Sequence, residues 1–250
     1  MISSVMFDMG GTLEDLYSDE STQMKMAEKV SCILRENGVD WKMSDRETME
    51  LVNREMERYK AVSVKTEIEL KPEEIWRGYI LASQNLPDDV LTEDLCEKLA
   101  YAWETTYFVR KLRPNVIPML SALKDMGVRL AVISNTASLF QVFDTLENYG
   151  IRKYFDQVVI SSIVSYRKPH VNAFKIALRQ MGLSADECVY VGDTVARDVS
   201  GAIKAGFAKT IQIYSFLTAS RDAGLDGSIK PDYVIEDMNQ IPQIVAELRK

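Results

Sequence analysis

Short apolar runs rich in β-branched residues recur along the second half of the chain: VRLAVISN, QVVIS, CVYVGD, KTIQI and DYVIE. Consecutive runs are separated by stretches long enough for a crossover helix, and near-continuous apolar strands of this kind are buried on both faces. The pattern predicts an α/β fold, a Rossmann-like parallel sheet sandwiched by helices. A further run, Ile2 to Asp8, comes first and has no immediate partner. Helix ends are marked by Pro114 near one start, by Gly127 and Gly150 after two stops, and by a capping box from Ser184 to Glu187.

Between about Leu16 and Arg110 the period changes from strand to helix. Met26, Val30, Ile33 and Leu34 recur at helical spacing, Ser44 with Glu47 frames a second helix start, Pro72 opens a third and Thr92 a fourth. This predicts a helical cap of residues 16–110 inserted after strand one, into a core of residues 1–15 and 111–250. Trp41, Trp76, Tyr79 and Trp103 inside the insertion are read as core or lid packing.

The chain has 250 residues, 46% of them apolar, enough to bury such layers. Its formal charge of -7 argues against a non-specific grip on nucleic acid, so a phosphate site has to be built locally. No run approaches the roughly 20 apolar residues of a membrane span, and the N-terminus lacks the basic start and apolar core of a secretory signal. A cytoplasmic setting is the expectation. Cys32, Cys96 and Cys188 are widely spaced and read as ordinary core cysteines, not a disulfide framework or a zinc site.

Ligands of a parallel sheet collect at the carboxyl ends of its strands. The polar residues here follow that rule: Asp8 ends strand one, Ser134 and Asn135 end LAVIS, Asp193 ends VYVG with Asp198 one turn later, and Lys168 stands just ahead of a helix start at Pro169. Singly, each reads more readily as a turn or a helix cap than as a functional residue. Together and in order they form a chemical set. Asp8 and Asp193 offer the hard carboxylate oxygens that suit Mg²⁺, and Asp198 is placed to hold the metal's waters. Lys168 supplies a fixed positive charge that neutralises phosphate oxygens and keeps Asp8 ionised, while Ser134 and Asn135 donate hydrogen bonds to the same oxygens. Asp8 can then attack phosphorus and form an aspartyl-phosphate that water hydrolyses.

The set resembles the haloacid dehalogenase-like hydrolase superfamily. The Asp-x-Asp-Gly-Thr motif of that family appears as DMGGT, its serine after an apolar strand as ISN, its lysine as RKP, and its acidic motif as GDTVARD. The resemblance spans the core from Ile2 to the C-terminus, and the helical insertion is similar to the family's cap. It implies a Mg²⁺-dependent hydrolase of a small phosphorylated metabolite, with a metal contact from the backbone carbonyl of Gly10. Neither nucleic acid nor membrane is expected as a partner, and nothing in the pattern specifies an oligomeric state.

The sequence departs from the family at Gly10, where phosphatases carry the Asp that protonates the leaving oxygen and then activates water. General acid or base help is worth about 10² to 10⁴ in rate. Three readings stay open: a phosphatase, with Glu14, Asp15 or a cap residue standing in or with activated leaving groups only; a C–P or C–halogen hydrolase; and a weakly active phospho-ligand binder. The retained Asp193 and Asp198 speak against a metal-free dehalogenase, and none of the cap lysines Lys25, Lys42, Lys60 and Lys65 has a phosphonatase-like context. The single histidine, His170, reads as a helix-start residue.

Overall fold

The computed structural model describes residues 1–87 and 89–250. In chain order the strands are β1 (Ser4–Phe7), β2 (Glu14–Tyr17), β3 (Val109–Leu112), β4 (Arg129–Ser134), β5 (Gln157–Ile160), β6 (Cys188–Gly192), β7 (Lys209–Ile213) and β8 (Tyr233–Ile235). The α-helices are α1 (Glu20–Glu36), α2 (Asp45–Thr66), α3 (Pro72–Ile75), α4 (Glu93–Thr106), α5 (Val116–Asp125), α6 (Gln141–Asn148), α7 (Ser161–Val164), α8 (Val171–Met181), α9 (Ser200–Ala205), α10 (Thr218–Arg221) and α11 (Gln240–Leu248).

Six strands form one sheet in the order β5-β4-β1-β6-β7-β8, and every pairing in it is parallel. The lone first run is thus the central strand, with Phe7 opposite both Val132 of β4 and Val191 of β6. Alternation along the strands divides the core in two. Val5, Phe7, Val132 and Val191 pack with Leu120 and Leu123 of α5 and with Ile241 and Val245 of α11. Met6, Ala131, Ile133 and Tyr190 pack on the other face with Ala173, Phe174 and Ala177 of α8 and Ala202 of α9. Helices therefore cover both faces, the Rossmann-like α/β arrangement expected from the strand rhythm. The strand order reverses at β1, which places the loops after β1, β4 and β6 around one crevice.

Helices α1 to α4 build a second apolar cluster around Met26, Leu34, Val52, Trp76, Leu99 and Trp103. Their starts are those the sequence marks: Ser44 and Glu47 close a capping box on α2, Pro72 is the first residue of α3, and Thr92 caps α4. The sequence pattern missed a short antiparallel ladder, β2 with β3, that pairs Glu14 with Leu112 and Tyr17 with Val109. Its strands have four residues each, and β3 is a half-exposed VRKL with no apolar run. Such a pairing is set by the two chain crossings meeting in space, not by local pattern. It brings the chain into and out of the helical insertion side by side.

Three buried carboxylates tie these helices to the loops beyond β4 and β5. Glu97 of α4 accepts from Ser138 Oγ at 2.6 Å and from the Leu139 amide at 2.9 Å. Glu104 accepts from the Ala137 amide at 2.8 Å and from Thr136 Oγ1 at 3.1 Å. Glu69 accepts from Ser161 Oγ at 2.7 Å and pairs with Arg167. Among the described residues no helix is long and apolar enough to cross a membrane.

Candidate active site

Asp8 immediately follows β1, and its amide donates to the Val191 carbonyl at 2.9 Å, so the sheet itself fixes its backbone. Its side chain is almost fully buried and lines a cavity of about 80 Å³. The Lys168 ammonium donates to Asp8 Oδ1 at 2.6 Å, to Asp198 Oδ1 at 2.6 Å and to the Tyr190 hydroxyl at 2.9 Å. All three of its protons are thereby directed, which holds a buried cation in one place. Asp198 is likewise fully engaged, since its other oxygen accepts from the Thr194 amide at 3.1 Å and from Thr194 Oγ1 at 2.6 Å. Burial alone would raise its carboxyl, but Lys168 and Arg197 outweigh burial and hold it well below the usual carboxylate range.

Ser134 and Asn135 sit at the end of β4, as the sequence places them, and both line the cavity. The Ser134 hydroxyl has no hydrogen-bond partner among the described residues and remains available to a ligand. Asn135 does something else with its side chain. Its Oδ1 accepts from the Lys168 amide at 2.9 Å, and its Nδ2 donates to the Lys168 carbonyl at 3.1 Å. The expected phosphate donor is therefore occupied in bracketing the Lys168 peptide.

Asp193 closes the set from the end of β6. Its Oδ2 accepts from Ser215 Oγ at 2.6 Å, while its buried Oδ1 has no hydrogen-bond partner. Burial, and then the neighbouring Asp198, push its carboxyl up to about 7. Asp8, Asp193 and Asp198 each present a carboxylate oxygen within 4.8 Å of the others. A buried carboxylate oxygen with no hydrogen-bond donor, its nearest cation Arg197 3.6 Å away, faces two more carboxylates and fits a hard divalent cation.

Aspartate at the central strand end, serine on one neighbouring strand, an acidic pair on the other and a lysine between them are the four family motifs gathered at one crevice. A family model for haloacid dehalogenase-like hydrolases matches residues 2–206. The chain belongs to that family. It is 34% identical over 137 residues to the glyceraldehyde 3-phosphate phosphatase of Methanocaldococcus jannaschii, a match covering 55% of this chain and 58% of that protein. The protein of the same name from Methanothermobacter thermautotrophicus is 36% identical over 136 residues, covering 53% and 58% respectively. The matched part thus spans about three fifths of the length of these curated relatives. Among solved structures, a 2-haloacid dehalogenase from Pseudomonas syringae has a TM-score of 0.68 at 21% identity, covering 99% of this chain and 100% of that one. A phosphatase of the family from Thermococcus onnurineus has a TM-score of 0.63 at 21% identity, with 98% of both chains covered. A phosphatase and a dehalogenase share the fold equally well, so the chemistry of this hydrolase has to be argued from its side chains.

The two glycines of DMGGT differ in kind. Gly11 has φ +96°, and a Cβ there would collide with the Asp193 carboxylate. Gly10 has no such backbone requirement; a Cβ there would meet only Leu16 Cδ1 at 3.1 Å, with Glu14 Oε1 at 3.8 Å. Neither core carboxylate near Gly10 faces the cavity. Glu14 is fully buried between Arg110 and the Tyr149 hydroxyl, which donates at 2.9 Å, and Asp15 is exposed and paired with Arg113 at 3.0 Å. The other cavity-lining carboxylates, Glu69 and Glu104, have both oxygens taken. His170 caps α8, its Nδ1 accepting from the Asn172 amide at 3.1 Å.

Sequence reasoning missed the cavity's remaining charged lining: Lys60, Glu69, Glu104 and Arg110 from residues 16–110, Arg167, Arg197, and Arg221 of α10. Arg197 lies inside the GDTVARD stretch and Arg167 inside RKP, so both were legible as neighbours of motif residues. The others carry no local signal, because they reach the crevice only once the helices dock. Of the lysines of the helical insertion named above, Lys60 lines the cavity, whereas Lys25, Lys42 and Lys65 are exposed.

Proposed function

We propose that the protein is a Mg²⁺-dependent phosphatase of small phosphomonoesters that works through an aspartyl-phosphate on Asp8. The observation carrying this reading is the Lys168 ammonium 2.6 Å from Asp8 at the mouth of a buried carboxylate cluster. The ammonium beside Asp8 orients its carboxylate as a nucleophile and offsets charge at the phosphoryl group, and the serine hydroxyl beside it is free to bind a phosphoryl oxygen. The phosphatase names of the relatives support the same class. The metal would be held by Asp8, Asp193 and the Gly10 carbonyl, with Asp198 behind them, and would supply charge neutralisation at the phosphoryl oxygens.

In the first step an Asp8 oxygen forms a bond to phosphorus while the bond to the leaving oxygen breaks. In the second, water attacks that phosphorus, the Asp8–phosphorus bond breaks, and inorganic phosphate leaves with Asp8 regenerated. Lys168 holds charge at the phosphoryl oxygens in both steps, Ser134 donates to one of them, and Asn135 fixes the Lys168 backbone. No cavity-facing carboxylate among the described residues is free to protonate the leaving group, so leaving groups that depart as weak bases are favoured. We read residues 16–110 as the cap over this site and residues 1–15 and 111–250 as the core. The three cysteines are all free, which fits a cytoplasmic setting.

The test is Asp8→Asn with a panel of phosphate esters and Mg²⁺. Turnover should fall to background while the circular-dichroism spectrum stays the same, and EDTA should inhibit the wild type until Mg²⁺ is restored. Retained turnover in Asp8→Asn overturns the aspartyl-phosphate; indifference to EDTA overturns the metal.

A further inference from the structure

Five cations line the cavity or touch its nucleophile with a carboxylate already at hand. Arg110 pairs with Glu14 and Glu104, Arg167 with Glu69, and Lys168 with Asp8 and Asp198. Arg197 and Arg221 stand 3.6 and 3.8 Å from the Asp193 oxygens. Lys60 is the exception: among the described residues no carboxylate lies within 4.0 Å of its ammonium and no hydrogen bond satisfies it. It projects from α2 into the cavity and rests over the Trp103 ring, 4.4 Å from its centroid. A half-buried ammonium with an aromatic face and no counter-ion has lost water without gaining a partner.

We propose that Lys60 is the specificity residue for a second anionic group on the substrate, a carboxylate at the far end of a short phosphomonoester. The reading of the phosphoryl end rests on the phosphatase assignment above. Asp8, directly after β1, and Lys168, in the loop before α8, lie on one side of the cavity and Lys60 of α2 on the helical insertion, so a molecule that touches both spans it. The wall between them includes Leu16, Met56, Trp103 and Phe108, apolar surface suited to a carbon spacer. A cavity of about 80 Å³ suits a small substrate with a short carbon spacer. The groups facing Lys60 are Glu104 from α4, Glu69 from the loop after α2, Arg167 from the loop after α7, and Arg221 from α10. Two of each sign leave the local field near balance, so the carboxylate of a ligand supplies the pairing that the protein omits.

The experiment compares three esters of similar size: 2-phosphoglycolate, 2-hydroxyethyl phosphate and O-phosphoethanolamine, which carry an anion, a neutral group and a cation at the far end. Wild type should prefer them in that order. Lys60→Met should reduce the 2-phosphoglycolate to 2-hydroxyethyl phosphate ratio of kcat/KM by about 10- to 100-fold, chiefly through KM, as expected for loss of one charge-assisted contact. Lys60→Arg should restore part of the ratio. Calorimetric binding of the same three compounds to Asp8→Asn, with and without Lys60→Met, reads the same preference without turnover. If nothing is hydrolysed but the binding preference appears and depends on Lys60, the phosphatase reading fails and the role of Lys60 stands. A ratio unchanged by Lys60→Met, in turnover and in binding, overturns the proposal. Covalent trapping of Lys60 by borohydride in the presence of phosphonoacetaldehyde also overturns it, because the lysine is then a nucleophile toward a carbonyl.

Discussion

A Cβ placed on Gly10 stands 3.1 Å from Leu16 Cδ1, close enough that the leucine has to yield by a few tenths of an ångström but no more. The backbone therefore tolerates a Cβ there once Leu16 gives way, in contrast to Gly11. A carboxylate installed there would have Glu14 and Arg110 as neighbours, at 3.8 and 3.9 Å from the Cβ. The first raises its pKa and the second lowers it.

Gly10→Asp should raise turnover of an alkyl phosphate at least about tenfold, against a ceiling of about 10⁴ for a well-placed acid or base. An aryl phosphate, whose leaving group needs no proton, should gain much less. The comparison is a pair of steady-state assays on one preparation. Equal gains, or none, would show that another group already supplies the proton.

Gly11 behaves oppositely. Its φ of +96° disfavours any L side chain, and the Asp193 carboxylate fills the space a Cβ needs. Gly11→Ala should cost more than about 1 kcal/mol in urea unfolding and lower activity as Asp193 is displaced. Wild-type stability and activity in this variant would mean the loop is softer than its geometry.

Glu97→Ala removes the acceptor for Ser138 Oγ and the Leu139 amide at a site away from Asp8. The expected loss is about 2–4 kcal/mol, because charge-assisted hydrogen bonds are among the stronger ones and their buried donors are left unpaired. Hydrogen exchange at the Leu139 amide should accelerate first, as the helical insertion loosens from the loop after β4. Unchanged protection there would show that Glu97 does not hold the two parts together.

Burial, the largest effect on Lys60, lowers its ammonium pKa from the ordinary lysine range to about 8. The folded value lies below the unfolded one, so the charge is present below about pH 8 and is lost as pH rises through it. The preference for 2-phosphoglycolate over 2-hydroxyethyl phosphate should be flat at lower pH and decline above about pH 8. In Lys60→Arg the preference should stay flat to about pH 10, since guanidinium keeps its proton. A wild-type decline that persists in Lys60→Arg would assign the titration elsewhere.

Much of this was written in the order of the residues. Asp8, Ser134, Lys168, Asp193 and Asp198 were legible because a parallel sheet sends its strand ends to one crevice, so polar residues that end apolar runs converge whatever the loops between them do. Asn135 was legible as a strand-end residue but not in its use: only the fold shows its amide closing on the Lys168 backbone, 33 residues away in sequence. The β2–β3 ladder was hidden because its strands are short and one is charged.

Periodicity determined the sheet and its helices, and the placement of Asp8 and its carboxylate neighbours, since burial forces apolar repeats onto the core faces and leaves polar residues at the ends. Tertiary structure alone decided which cation goes unpaired, which glycine is sterically required, and which carboxylates are already spent. Those are properties of distances between residues far apart in the chain, and no local pattern encodes them.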